Sequence, residues 1–351
     1  MECFIAKHTN SRKHFIVKIL LCKTNGTILV ILRRNPLPFP YLYVSGVLPP
    51  TLCFLNHMNL KYLIYLLICS LFLSGCFARY RTTSRDVRKH YANFKKPRLE
   101  YVRNDTLCIQ IASTGADTLP LLLLIHGAPG AWWGYMNMLD DTLLQKKFHI
   151  VSVDRPGYGS SWLKKRKPVG SIRMQALCLL SVLAMNKSKE PAIILGRSYG
   201  APIAAVMASL VPEKVKQLVM VSPVIDPDNE KFYWFSKYGR NRLVQLFLPK
   251  EFNTATAEKY VHSDELRKMR SVWQQLTMPV VVIQGGDDWI GDPINLEFAK
   301  QNIPSPKSQY ITIPKAGHML TFSHMNMIKQ LLINTDQNRN RNMTIDLAIG
   351  R

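Results

Sequence analysis

The segment "PAIILGRSYGAPIA", residues 191–204, joins an apolar run to a small-residue stretch through one serine held between two glycines. Ala192 to Leu195 read as a buried strand, and Ala201 to Leu210 as a helix whose first turn holds Pro202, where a missing N–H costs nothing. A bare Gly-x-Ser-x-Gly arises by chance in roughly one chain in ten of this length; its place at a strand-to-helix seam gives it meaning. Such a turn forces the serine into a strained backbone, and side chains two residues away on either side would collide with it, so Gly196 and Gly200 flank Ser198. The hydroxyl is then lifted clear of the sheet. The helix N-terminus faces whatever it attacks and favours developing negative charge.

Outward from this seam, short β-branched or leucine-rich runs alternate with helical stretches. Strands are expected at Leu107–Ala112, Pro120–Ile125, His149–Val153, Gln217–Val221, Val280–Gln284 and Gln309–Ile313. Helices are expected at Gly134–Gln145, Ile172–Met185, Ile294–Lys300 and Met319–Ile333. This is the pattern of an α/β protein with a doubly wound, mostly parallel sheet. Residues 223–275 carry no strand, are too long for an ordinary connection and have helical, aromatic content such as "KFYWFSKYGRNRLVQLF" (231–247), which predicts a cap over the sheet. The domain is expected to span residues 99–333, followed by a polar tail, 334–351.

A serine nucleophile needs a base, a carboxylate and oxyanion donors. His318 in "IPKAGHML" lies in a loop between an apolar strand and the last helix, on the sheet edge expected to hold Ser198. "VVVIQGGDDWIGDP" offers Asp287, Asp288 and Asp292; Asp288, one glycine turn beyond its strand, is preferred as the acid, with Asp287 as a loop cap and Asp292 as a helix cap. The oxyanion donors are expected to be the N–H groups of Tyr199, directly after the nucleophile, and Ala128 in "LLLLIHGAPG", since Pro129 has none. His126 reads as a brace for that loop and His324 as a surface histidine of the last helix. This chemistry requires no metal or organic cofactor.

The order Ser198, Asp288, His318, together with "HGAPG", "DRPGYGSS" (154–161), "GRSYGAP", "GGDDWIGDP" and "AGH", resembles the α/β-hydrolase fold family of small esterases, lipases and aminopeptidases over roughly residues 100–333. The resemblance implies a helical cap inserted after the sixth strand, and a loop-shaping role for Asp154 and Arg155. A serine nucleophile speaks against the dehalogenases and epoxide hydrolases of that family, which use an aspartate. "HGAPG" is similar to the "HGGPG" of proline iminopeptidases, whose larger caps hold a substrate amine with acidic residues. Here residues 227–271 contain nine basic against six acidic residues, so an ester, thioester or lipid-like acyl substrate is preferred. The alternatives are an aminopeptidase of that type and a non-catalytic envelope protein on the same scaffold.

The formal charge of +23 suggests a nucleic-acid binder, but the basic residues are spread along the chain, with one dense run at Lys164–Lys167 and no zinc-finger or aromatic RNA-binding pattern. No nucleic-acid partner is expected. Five of the seven cysteines fall within the first 76 residues, and Cys108 and Cys178 read as buried thiols. "MNLKYLIYLLICSLFLSGC", residues 58–76, has signal-peptide anatomy, and its end, Leu73-Ser74-Gly75-Cys76, resembles the bacterial lipobox, which implies lipidation of Cys76. The alternative is one membrane-spanning helix, Tyr62 to Ala78 being 17 residues without a charge. Residues 1–57 then precede a natural start at Met58 and read as unstructured, and residues 77–98 form a basic tether. The expected location is the bacterial cell envelope, as a membrane-anchored lipoprotein; Phe77, in place of an aspartate after the cysteine, favours the outer membrane.

Overall fold

The structure, a computed structural model, describes residues 3–10, 15–24, 27–33, 84–164, 167–232, 236 and 239–334. The chain divides into two compact units, Met1–Arg81 and Thr82–Arg351. In the first, β1 (Cys3–Asn10), β2 (Phe15–Thr24) and β3 (Thr27–Arg33) form an antiparallel sheet in that order. Residues 1–57 suggest no domain by their broken apolar runs, yet these strands occupy part of the stretch. The sequence Asn25-Gly26 between the paired Thr24 and Thr27 carries a strong hairpin signal. The segment 58–76, Cys76 included, and the tail beyond Asn334 lie outside the described residues. Among the described residues no helix is long and apolar enough to cross a membrane.

The second unit is built on a nine-stranded sheet. Its strands are β4 (Arg98–Arg103), β5 (Leu107–Thr114), β6 (Leu121–Ile125), β7 (His149–Val153), β8 (Trp162–Leu163), β9 (Ala192–Arg197), β10 (Val215–Val221), β11 (Val280–Gly285) and β12 (Gln309–Ile313). The order is β12-β11-β10-β9-β6-β7-β5-β4, with β8 paired to β5. From β7 to β12 neighbours run parallel, whereas β5 is antiparallel to β4, β7 and β8. The central strands are buried throughout, as their unbroken apolar runs require in a sheet covered on both faces. Two apolar clusters form those covers. One holds the helices Ile172–Leu183 and Gly200–Leu210, the other Trp132, Met138 and the helix Met325–Ile333.

Two expected helices are shorter than their apolar pattern. Gly134–Gln145 resolves into a 3₁₀ turn, Trp132–Tyr135, and the helices Met136–Leu139 and Thr142–Lys147, because Asp141 restarts the chain by accepting hydrogen bonds from the N–H groups of Leu143 and Leu144. Met319–Ile333 is divided at His324, whose φ of −125° interrupts the turn between Leu320–Ser323 and Met325–Ile333. The edge strand β4 is mostly exposed and rich in charge, so no apolar run announces it. Counting it, and leaving out the two-residue β8, β10 is the sixth strand, and the helices Arg242–Phe247, Lys250–Lys268 and Arg270–Gln274 follow it as a cap. Within residues 77–98, the helix Ser84–His90 leads into Tyr91, which is buried in the core, and His90 Nε2 meets Asp140 Oδ2 at 2.5 Å.

Candidate active site

The register of the sheet sets the carboxyl ends of its strands side by side. Ile125 pairs with Gly196, Arg197 with Val221, Val221 with Ile283, and Gly285 with Ile313. The loops that follow β6, β9, β11 and β12 therefore rise from one edge, where ligands of open α/β sheets gather.

Ser198 follows β9 with φ of +51°, a left-handed conformation costly for any residue with a Cβ. The flanking glycines have a steric cause on each side. A Cβ on Gly196 would stand 2.5 Å from the Gly200 carbonyl oxygen, and one on Gly200 would stand 2.4 Å from the Ile125 oxygen. Helix and strand thus meet backbone to backbone. Gly127 lies against the serine, its Cβ position 3.0 Å from Ser198 Cβ and 3.5 Å from Oγ, so the loop carrying Ala128 borders the nucleophile. Among the described residues, the N–H groups of Ala128 and Tyr199 enter no backbone hydrogen bond.

His318 and Asp288 meet at the same edge. Nδ1 of His318 is 2.8 Å from Asp288 Oδ2. The carboxylate is fixed by three further donors: the Ile290 and Gly291 N–H groups on Oδ1 at 3.0 and 2.8 Å, and Gln284 Nε2 on Oδ2 at 3.0 Å. Gly291 packs on the imidazole, where a Cβ would stand 3.2 Å from the ring. Asp287 is exposed, and Asp292 accepts from the Ile294 N–H and pairs with Lys231. Of the three aspartates, Asp288 is the one on the histidine. Among the described residues no hydrogen bond joins Ser198 Oγ to His318.

His126 braces its loop. It is wholly buried, donating from Nδ1 to the Gly127 carbonyl at 2.7 Å and accepting at Nε2 from the Arg155 N–H at 3.0 Å. Burial, then the Arg155 charge, hold its pKa well below the ordinary value, so the ring is neutral. The side chain of Arg155 donates to the carbonyls of His126 and Gly127, both at 2.9 Å, and to Glu258 of the cap at 2.6 and 3.1 Å. Tyr158 Oη and Gln175 Nε2 also donate to Glu258. Burial opposes the guanidinium charge, and the Glu258 carboxylate outweighs it.

The packing of Arg155 and Glu258, 103 residues apart, is a feature the sequence pattern does not announce. Arg197 is another: its buried guanidinium donates to Thr321 Oγ1 and lies 5.7 and 5.5 Å from the centroids of Tyr135 and Phe322. Cys108 and Cys178 are buried and free, and burial raises the Cys178 thiol to about 11.

The profile of the family described as "alpha/beta hydrolase fold" matches residues 120–258 and 241–324. A Bacillus subtilis AB hydrolase superfamily protein, YfhM, is 27% identical over 124 residues, 35% of this chain and 42% of that protein. Epoxide hydrolase 1 of Caenorhabditis elegans is 30% identical over 134 residues, 37% of this chain and 29% of the other. The chain thus spans less than half the length of these relatives. Among solved structures, a membrane phospholipase A, titled a novel bacterial virulence factor, aligns over 81% of this chain and 100% of its own, with TM-score 0.56 and 20% identity. The enol-lactonase of Burkholderia xenovorans LB400 aligns over 67% and 99%, with TM-score 0.55 and 15% identity. With this sheet order, a strained serine between glycines and a profile match over more than half its length, the chain belongs to the alpha/beta hydrolase fold family, whose relatives matched here include hydrolases.

Proposed function

We propose that the protein is a serine hydrolase that cleaves an ester, thioester or similar acyl bond. The observation that carries this reading is Ser198, strained at φ +51° on the carboxyl edge of the sheet that also holds the His318–Asp288 pair. Ser198 Oγ attacks the acyl carbon while His318 takes its proton; Asp288 fixes the imidazole through Nδ1 and stabilises its charged form. The oxyanion is received by the N–H groups of Ala128 and Tyr199 at the start of the Gly200–Leu210 helix. The leaving group departs with the proton from His318, and water then releases the acyl group by the same relay.

Serine in place of aspartate separates this chemistry from that of epoxide hydrolases. The cap weighs against an aminopeptidase, because its inward glutamates are already engaged: Glu258 with Arg155, Glu230 with Lys259 and His262, and Glu265 with the Ile172 N–H and Lys268. Each of the three carboxylates is thus already paired with a cation or an N–H group, and only Oε2 of Glu230 is buried without a hydrogen-bond partner among the described residues. Lipidation at Cys76 would place the enzyme on the membrane of the bacterial envelope, with the outer membrane preferred and a lipid-like acyl substrate within reach.

A fluorophosphonate probe tests the nucleophile. Wild type is expected to label and Ser198→Ala to remain unlabelled; labelling that persists in the variant refutes the assignment. Esters of p-nitrophenol with graded acyl lengths, run beside aminoacyl arylamides, are expected to be cleaved in the first series only.

A further inference from the structure

The exposed apolar side chains of the second unit are unevenly placed. Of fifteen large ones left exposed among the described residues, nine lie in the segments that follow the carboxyl ends of β10, β11 and β12. The most exposed are Leu243 and Leu246, at 70% and 77%, on the cap helix Arg242–Phe247. Three residues apart, they share one helix face. Trp289, next to Asp288, is 63% exposed, and Met319, next to His318, is 40% exposed. Trp289 and Met319 thus flank the His318–Asp288 pair in the chain, and Leu243 and Leu246 stand on the cap that follows the carboxyl end of β10. Isolated exposed leucines need no explanation, but a group of them on one functional edge does.

Charge says what covers these side chains. Arg240, Arg242 and Lys250 bracket the two leucines, and none of the three has a carboxylate partner among the described residues. The cap's acids are mostly consumed elsewhere: Asp228 holds Arg267 and Arg270, Glu230 holds Lys259, Glu258 holds Arg155, and Glu265 holds Lys268. Glu251 and the exposed Asp287 remain on the acidic side. Leucines exposed between arginines and a lysine match a surface that is anionic at its face and apolar beneath.

We propose that this edge, led by Leu243 and Leu246, docks on an anionic lipid surface. The leucines enter the acyl boundary, Arg240, Arg242 and Lys250 contact the headgroup phosphates, and the mouth beside Ser198 opens toward the lipid. This contact is separate from acylation at Cys76 and does not depend on ester cleavage.

The test uses the full chain carrying Cys76→Ala, so that no acyl anchor contributes, and co-sedimentation with vesicles of phosphatidylglycerol and phosphatidylcholine or of phosphatidylcholine alone. Binding is expected on the mixed vesicles and weak on the neutral ones. Leu243→Ser with Leu246→Ser should lower partition tenfold or more, and each of Arg240→Gln and Arg242→Gln about fivefold. Leu143→Ser, an exposed leucine on the helix preceding the amino end of β7, should leave partition unchanged. Hydrolysis of a soluble ester is read on the same samples and should be equal in all of them; its absence would count against the serine-hydrolase reading without touching the partition result. Equal binding to both vesicle types overturns the proposal, as does unchanged partition of the double leucine variant. A dimer in light scattering that the double leucine variant abolishes also overturns it, since a second copy would then cover the leucines.

Discussion

Glu258→Ala should be among the most damaging single changes in the cap. Both Arg155 and Glu258 side chains are 0% exposed. Glu258 Oε1 accepts from Arg155 at 2.6 Å and Gln175 at 2.9 Å; Oε2 accepts from Tyr158 at 2.6 Å and Arg155 at 3.1 Å. Truncation leaves a guanidinium buried without its counter-charge, the Tyr158 hydroxyl without its acceptor and Gln175 Nε2 with the Val169 carbonyl alone. Breaking such a pair costs about 3–5 kcal/mol. At about 2–4 °C per kcal/mol for a domain of this size, Tm should fall by about 6–20 °C. Replacing both partners, Arg155→Met with Glu258→Leu, removes the uncompensated charge and should return stability to within about 2 kcal/mol of wild type. Activity should not return with it, because Arg155 also holds the carbonyls of His126 and Gly127 beside Ser198. Urea unfolding and ester hydrolysis measured on the same three proteins separate these effects. A Glu258→Ala loss below about 1 kcal/mol, or a double variant as unstable as the single, would refute the reasoning.

Gly200→Ala places a Cβ 2.4 Å from the Ile125 oxygen and 2.7 Å from the His126 oxygen, so it should cost about 1–3 kcal/mol and depress kcat by displacing the Ala128 loop; thermal melts and esterase rates check both. Asp288→Asn keeps the shape but supplies no charge to His318, and kcat should fall about 10⁴-fold with folding intact by circular dichroism. Burial raises the Asp154 carboxyl to about 7, against the pull of the Trp132 N–H, from 3.8 when solvated. Its contribution to stability is therefore full below about pH 4 and lost as pH rises to about 7. Asp154→Asn should lack that decline, which parallel urea midpoints from pH 4 to 8 would contradict.

What the sequence made legible follows from where each signal resides. The strands β6, β7, β9, β10 and β11 are buried runs whose composition alone marks them, and their elements lie within a few residues of expectation. Gly196 is legible because its cause is local, the backbone of Gly200 closing on it within the same turn, whereas Gly200 is required by the Ile125 carbonyl at the end of β6, which the local sequence does not announce. Asp288 is one of three neighbouring aspartates, set apart in the sequence by its place one glycine turn beyond β11; in the structure it is the one that meets His318. Other features rest on distant or opposing information. Arg155 and Glu258 lie 103 residues apart, and a lone arginine beside a glycine-rich turn carries no sign of its partner. β4 alternates charged and apolar residues over Arg98 to Tyr101, but it is short and exposed on both faces, and its pairing with β5, not burial, makes it a strand. The helix breaks at Asp141 and His324 reflect caps and backbone angles that an apolar period does not encode.

The long cap helix Lys250–Lys268 is fastened to the sheet domain at three heights: Thr254 Oγ1 to the Gly157 carbonyl, Glu258 to Arg155, and Glu265 to the Ile172 N–H. Swinging it aside would strand the guanidinium, so an open state at about 3–5 kcal/mol is visited less than about one per cent of the time. Turnover limited by that motion would be slow and steeply temperature dependent. The cap is therefore a fixed roof over the sheet domain and not a moving lid.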